Sequence, residues 1–410
     1  MRSPRLLARF AQIATFAAAL LLLGGAAVSV SGAPLRTRSV DPPAGPGAMG
    51  PNLVAAGGDL LLTWLEPLDV KDRTKGHRLR FSRLSGGRWS APVTVVSGAD
   101  LFANWADFPG AIEGPDGSLV AHWLGRTGTE AHAYSVFLAR STDGGTTWSK
   151  AGMLHEAGPG EHGFVSWLPE GKGVRAFWLD GREMSHEGQG QMSLRTAVVG
   201  EKAGPGEVAD GDVCTCCQTD AALAAGGPVI AYRDHTKEEI RDISVVRRTE
   251  KGWSDPVRVH ADNWKIPGCP VNGPAIAAAG RNVAVAWFTG ARPPRVQLAF
   301  SKDGGATFSP AVPVDAGKPL GRVDVALDAN GDALVSWLAL EGKSGASVRL
   351  RRLSPGGKAG APVTVAATSS ARSSGFPRTV LSGSDLYIAW VEDGEPSRIR
   401  VAALPASAVK

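Results

Sequence analysis

The chain has 410 residues, with 44 Lys and Arg against 39 Asp and Glu and a formal charge of +5. Three of the cations, Arg2, Arg5 and Arg9, precede an uncharged apolar run, so the rest is near balance and shows no basic stripe of the kind nucleic acid needs. With 52 glycines, a helical protein is hard to stabilise, and many tight turns are expected instead.

The first 33 residues read as an export signal: arginines, an apolar stretch, then small residues ending Ser31-Gly32-Ala33, with cleavage expected near Ala33. An uncleaved anchor is the alternative reading of that stretch. No later segment is long and apolar enough to span a bilayer. Residues 34–410 are therefore expected to be one exported domain, secreted or periplasmic, and monomeric.

That domain repeats. Apolar hairpins end at Trp64, Trp123, Trp178, Tyr232, Trp287, Trp337 and Trp390, with spacings of 59, 55, 54, 55, 50 and 53 residues. Each copy is a short apolar strand, a Gly/Asp/Asn turn and a second apolar strand. An alternating third strand follows most copies, as in "HRLRFSRLS" and "AYSVFLARS", then a fourth, as in "RWSAPVTVV" and "GWSDPVRVH". Four strands per repeat of this length predict an all-β fold, a β-propeller of four-stranded blades. Seven hairpins favour seven blades, with six as the alternative. The last copy stops after its third strand, so "PLRTRSV" near the start is expected to supply the missing outer strand. The third copy is degenerate in its outer strand, which keeps the six-blade alternative open.

Two turns between third and fourth strands match closely: "STDGGTTWS" from Ser141 and "SKDGGATFS" from Ser301. Asp143 and Asp303 are placed to accept backbone N–H groups. Gly145 and Gly305 permit positive φ, and Trp148 and Phe308 are expected to pack between sheets. The pattern S-x-D-x-G-x-T-[WF] resembles the Asp-box, or BNR repeat, of the sialidase superfamily, and the resemblance extends over nearly all of residues 34–410. It implies a propeller and an exo-alpha-sialidase-like relative. In that family three arginines hold the substrate carboxylate, a tyrosine–glutamate pair is the nucleophile and an aspartate is the acid/base. The box itself implies only the fold. No F-R-I-P-like motif is present. Of the three tyrosines, Tyr134 falls in an outer-type strand, and Tyr232 and Tyr387 fall in second strands.

Residues before first strands and after second strands converge on a propeller's mouth. Those segments carry the catalytic candidates Asp107 and Glu161, the ligand-binding candidates Arg182, Arg233, Arg322 and Arg378, and also Asp220 and His162. Carboxylates with arginines suit a glycosidase or a site for a polar ligand. The same groups also serve as caps that tie blades together.

The stretch "GDVCTCCQTD" holds Cys214, Cys216 and Cys217, and Cys269 is the fourth cysteine. Both segments precede first strands of neighbouring copies, so the four sulfurs are expected to meet. Disulfides are one reading, given export. A thiolate site for copper or zinc, with His235 or His162 as further ligands, is another. A redox-active thiol pair is the third. For the whole chain, the leading expectation is a sialidase-like propeller acting on or binding a glycan or small acidic ligand. A thiolate metal or redox protein and a non-catalytic scaffold are the alternatives.

Overall fold

The computed structural model describes residues 36–410 except 131–132, 159 and 185–189; the expected signal lies outside the described residues. Seven antiparallel sheets follow one another along the chain, and they are the seven blades of a β-propeller. Their inner strands are Met49–Ala56, Gly110–Glu113, His162–Glu170, Asp220–Ala224, Ala275–Ala279, Pro319–Leu327 and Arg378–Ser382, for blades 1 to 7. Blade 7 takes Arg38–Ser39 as its outer strand, with Arg38 opposite Ala403 and Ser39 opposite Ala402. The ring is thus closed by pairing the two ends of the described chain, as the truncated last repeat requires. Blade 3 does have an outer strand, Glu207–Val213. Its sequence, EVADGDV, hides it because acids occupy positions where apolar residues would alternate.

Second strands are sandwiched within and between blades, which is why they are continuously apolar. Trp64, Trp178, Trp287 and Trp337 are essentially fully buried there. A buried indole N–H needs an acceptor. In blades 1 and 3 the acceptor lies two residues on, on the same face of the strand. Trp64 Nε1 donates to Glu66 Oε1 and Trp178 Nε1 to Asp180 Oδ2, each at 2.8 Å. In blade 5 the acceptor is Asp262 Oδ2, 2.6 Å from Trp287 Nε1.

Both Asp-box turns fold as the sequence implies. Asp143 Oδ1 accepts the Thr147 N–H at 2.9 Å, and Asp303 Oδ1 accepts the Thr307 N–H at 2.9 Å. Gly145 and Gly305 have φ of 94° and 86°. Trp148 docks edge-on against Phe81 of blade 1, with ring centroids 5.3 Å apart. The box therefore fastens one blade to the one before it.

At the inner ends a different device joins the blades. The inner strands of blades 3 and 6 enter through bulges, where Phe164 (φ 54°) and Arg322 (φ 56°) adopt left-handed backbone. That conformation costs roughly 1–2 kcal/mol per residue. It aims each N–H back at a neighbouring segment: Phe164 donates to Asp107 Oδ2 at 2.8 Å and Arg322 to Asn272 Oδ1 at 2.7 Å.

Candidate functional site

A cavity of about 220 Å³ lies among the inner strands. Its polar lining includes Asp107, Gln218, Asp220, Asp324 and Arg378. Asp220 and Asp324 hold equivalent places in "QTDAALA" and "GRVDVAL". Each accepts an N–H from its own strand and another from the next blade: Asp220 from Ala221 (3.0 Å) and Ile276 (2.8 Å), Asp324 from Val325 (2.9 Å) and Thr379 (2.7 Å). Gln218 spans further, donating to Ala106 O at 2.6 Å and accepting from Gly273 N at 2.9 Å. The sequence names this segment of blade 6, but only the fold singles out Asp324. The signal that could have found it is an aspartate at the same step ahead of two apolar inner strands.

Burial dominates the acids here. It pushes Asp107 up to about 8, with the Phe164 N–H opposing and the nearby Glu161 charge adding to the rise. Burial also raises Asp220, to about 7, against the lowering charge of Arg378. Asp324 is raised for the same reason. One guanidinium thus faces two buried acids. Arg378 Nε lies 3.4 Å from Asp324 Oδ2 and has no hydrogen-bond partner among the described residues. Its guanidinium also stands over the Phe108 ring at 5.5 Å.

The other predicted site residues do not line the cavity. Arg182 is held by Asp180, Nε to Oδ1 at 2.8 Å and Nη2 to Oδ2 at 2.9 Å. Arg233 is fully buried and donates to the carbonyls of Asn272, Arg241 and Phe288. Arg322 gives Nη1 to Ala371 O (3.0 Å) and Gly375 O (3.1 Å) and lies over Trp105 at 4.8 Å. Burial, then the Arg372 charge, lowers it to about 10. Of the four arginines, Arg378 alone lines the cavity. Glu161 accepts the Tyr134 hydroxyl. Burial first, then the Glu161 and Asp107 charges, holds that phenol well above its ordinary value. The tyrosine is buried, its ring tilted against Phe102 with centroids 4.6 Å apart. Nothing in the sequence around Tyr134, at the start of an outer-type strand, marks it as a site residue; folding brings that end of the strand to Glu161.

Three of the four cysteines, Cys214, Cys216 and Cys217, come together, and no disulfide joins any of the four in this structure. Cys214 Sγ is 4.0 Å from Cys216 Sγ and 3.8 Å from Cys217 Sγ. Cys269 Sγ is 3.6 Å from Thr215 Oγ1, which places the fourth thiol beside the same turn. Hydrogen bonds from Cys216 and Cys217, with the Arg233 and Arg241 charges, hold Cys214 well below the usual thiol range. As donor to its neighbours Cys216 is pushed up, and burial raises Cys217 to about 12. Its neighbour Cys216 brings the exposed Cys269 down to about 6. Neither histidine joins the sulfurs. His235 Nδ1 sits 2.8 Å from Asp212 Oδ1, and His162 stacks on His155 at 3.8 Å. Among the described residues, the cluster of metal-ligating side chains is Cys214, Cys216 and Cys217 alone.

No family model and no curated protein matches the chain. Solved structures do match. A protein of unknown function from Dyadobacter fermentans is 15% identical, with 90% of this chain and 99% of that one covered and a TM-score of 0.52. An alpha-L-arabinanase from Penicillium chrysogenum, complexed with arabinobiose, is 15% identical over 92% and 99%, with a TM-score of 0.50. The polysaccharide lyase Uly1 is 8% identical over 87% and 90%, with a TM-score of 0.53. Sialidases match as well, at lower TM-scores. At these identities the likeness is one of fold alone, and this chain's own fold is the seven-bladed β-propeller described above.

Proposed function

We propose that this chain is an exported, carbohydrate-directed propeller that takes a polar or acidic sugar group at its central mouth. One observation carries the reading. The cavity sets Asp107 and Asp220, raised to about 8 and about 7, beside Arg378, whose Nε has no hydrogen-bond partner among the described residues. A buried carboxylic acid that keeps its proton near neutrality can donate a hydrogen bond to a sugar hydroxyl or a proton to a leaving oxygen. The arginine supplies the complementary cation for a carboxylate. The cavity is smaller than a drug-sized pocket, on the order of 300–1,000 Å³, and suits a single ring. Two fold neighbours, the arabinanase and the polysaccharide lyase, carry names of carbohydrate-active proteins. Asp107 is the proposed acid, with Glu161 and its Tyr134 partner alongside.

Arg378 stands in this reading as the sole ligand-facing arginine. Arg182, Arg233 and Arg322 serve in it as clamps on Asp180 and on backbone carbonyls. The test is a panel of neutral and uronic- or sialic-acid glycans, scored for binding by calorimetry and for cleavage by released reducing ends. Arg378→Gln should weaken binding of acidic members at least about tenfold, the scale of one charged hydrogen bond. Asp107→Asn should abolish any turnover while leaving binding within a few-fold. A folded wild-type chain that neither binds nor cleaves any member sinks the proposal.

A further inference from the structure

The sulfur cluster has the geometry of a first coordination sphere. Three thiolates sharing one metal at about 2.3 Å stand about 3.8 Å apart if tetrahedral and about 4.0 Å apart if trigonal. The two measured separations, 3.8 Å and 4.0 Å, fall there, and all three sulfurs lie within 4.8 Å of one another. Local folding explains why. Cys214 N donates to Arg233 O at 3.1 Å, anchoring the stretch to the end of blade 4's second strand. Residues 215–217 then turn, and Cys217 comes back under Cys214 ahead of the inner strand that begins at Asp220.

The surroundings favour bound thiolates. Arg241 Nη1 donates to Cys214 Sγ at 3.3 Å, and its own Nη2 is fixed by Glu239 Oε2 at 2.8 Å. The buried Arg233 guanidinium adds a second positive charge nearby. Three thiolates around a monovalent ion leave an excess of negative charge, and these two cations offset it. Cys214 and Cys217 are buried, and the half-buried Cys216 packs against the apolar core cluster that holds Val213, Ile230 and Tyr232, so the donors are soft and largely shielded from water. No histidine or carboxylate completes a tetrahedron among the described residues. Zinc prefers four ligands. Cu(I) is content with three soft ones, and soft sulfur selects it.

We propose that Cys214, Cys216 and Cys217 form a trigonal thiolate site for Cu(I), with the exposed Cys269, held beside the turn by Thr215, as the thiol through which the ion enters. This site is independent of the sugar site above. Binding involves no change of oxidation state: Cu(I) displaces the thiol protons, which pass to solvent.

The experiment uses the full chain, reduced under anaerobic conditions and titrated with Cu(I) against bicinchoninate, a coloured Cu(I) chelator. One ion per chain should be withheld from the chelator. X-ray absorption on that wild-type complex should show an all-sulfur, three-coordinate shell. Cys216→Ser should lose retention. Arg241→Gln, which keeps every sulfur, should weaken it about 10–100-fold, the effect typical of partners that orient metal ligands. Cys269→Ser should keep the stoichiometry and slow loading. Four thiols that titrate freely while the chelator keeps all the copper would overturn the proposal. So would a purified chain four hydrogens light that resists mild reduction, since the sulfurs would then be disulfide staples. A retained Zn(II) with four sulfur neighbours, Cys269 included, would overturn the assignment to Cu(I). Because the absorption measurement needs no variant, misfolding of a mutant leaves the test intact.

Discussion

Asp143 and Asp303 in the box turns, and Asp107 and Asp220 at the mouth, are one side chain in two opposite environments. The box aspartates face solvent and are wrapped by donors: Thr147 gives Asp143 its hydroxyl (2.6 Å) and its N–H (2.9 Å), and Ser141 adds its hydroxyl at 2.7 Å. Those bonds, the Thr147 hydroxyl first, bring Asp143 down to about 2. Asp303 is lowered by the matching set from Thr307 and Ser301. The mouth aspartates are buried, and desolvation raises them despite similar backbone donors. Regularity and chemistry therefore separate in space. The residues that betray the fold from sequence are charged and settled, while those suited to proton chemistry look like ordinary strand caps.

The largest expected effect sharpens this contrast. Asp107 is raised in the folded chain, so the folded state holds a proton that the unfolded state has lost. Between the unfolded value of about 4 and the folded value, stability falls as pH rises. Over that window, up to about 8, the loss is on the order of 5 kcal/mol as an upper bound. Asp107→Asn removes the titration yet keeps an oxygen for the Phe164 N–H. Urea unfolding should find the variant more stable than wild type at pH 9 and little changed at pH 4. Parallel stability curves for the two chains would remove the buried-acid picture of the mouth.

The next effect breaks the apparent equality of the two boxes. Gly145 and Gly305 share a left-handed backbone, but a Cβ on Gly145 runs into the Phe81 ring, whereas on Gly305 it meets Val229 Cγ1 at 3.1 Å. Gly305→Ala should cost about 1–2 kcal/mol for the backbone alone. Gly145→Ala should cost about 2–5 kcal/mol, because overpacking adds to that strain. Equal losses in thermal unfolding would show that the Trp148–Phe81 docking leaves room to adjust.

Most of the fold was legible because its signals are local and repeated. Second strands ending in tryptophan fixed the blade spacing, and the orphaned third strand at the C-terminus pointed to residues 34–40 for closure, of which Arg38–Ser39 make the pairing. The acids of Glu207–Val213 concealed one strand because their reason lies in the neighbouring blade. Asp210, for instance, accepts the hydroxyl of Tyr232, which belongs to the next blade. The arginines were the least legible part. Whether a guanidinium meets a ligand or a carbonyl depends on loops such as 271–273 and 371–375 arriving from other blades. The cysteines stood between these cases. Equivalent positions in adjacent repeats placed them together, but the three-plus-one arrangement needed the turn at 215–217.

The smallest effect tests the box aspartates on the other limb of the pH curve. Asp303 Oδ1 accepts the N–H groups of Ala306 (3.0 Å) and Thr307 (2.9 Å), and Oδ2 accepts the Thr307 hydroxyl at 2.6 Å. Asp303→Ala leaves these donors to water at an exposed turn, so the net loss at pH 7 should be about 1–2 kcal/mol. Because the carboxyl is lowered in the folded chain, its contribution is present above about pH 4 and fades as acid protonates it. The gap between wild type and Asp303→Ala should therefore close on acidification, while the gap for Asp107→Asn opens toward alkali. Relative to wild type, Asp303→Ala thus gains stability toward acid and Asp107→Asn toward alkali; if both variants shifted the same way relative to wild type with pH, donors at the turn and burial at the mouth would not be what divides these aspartates.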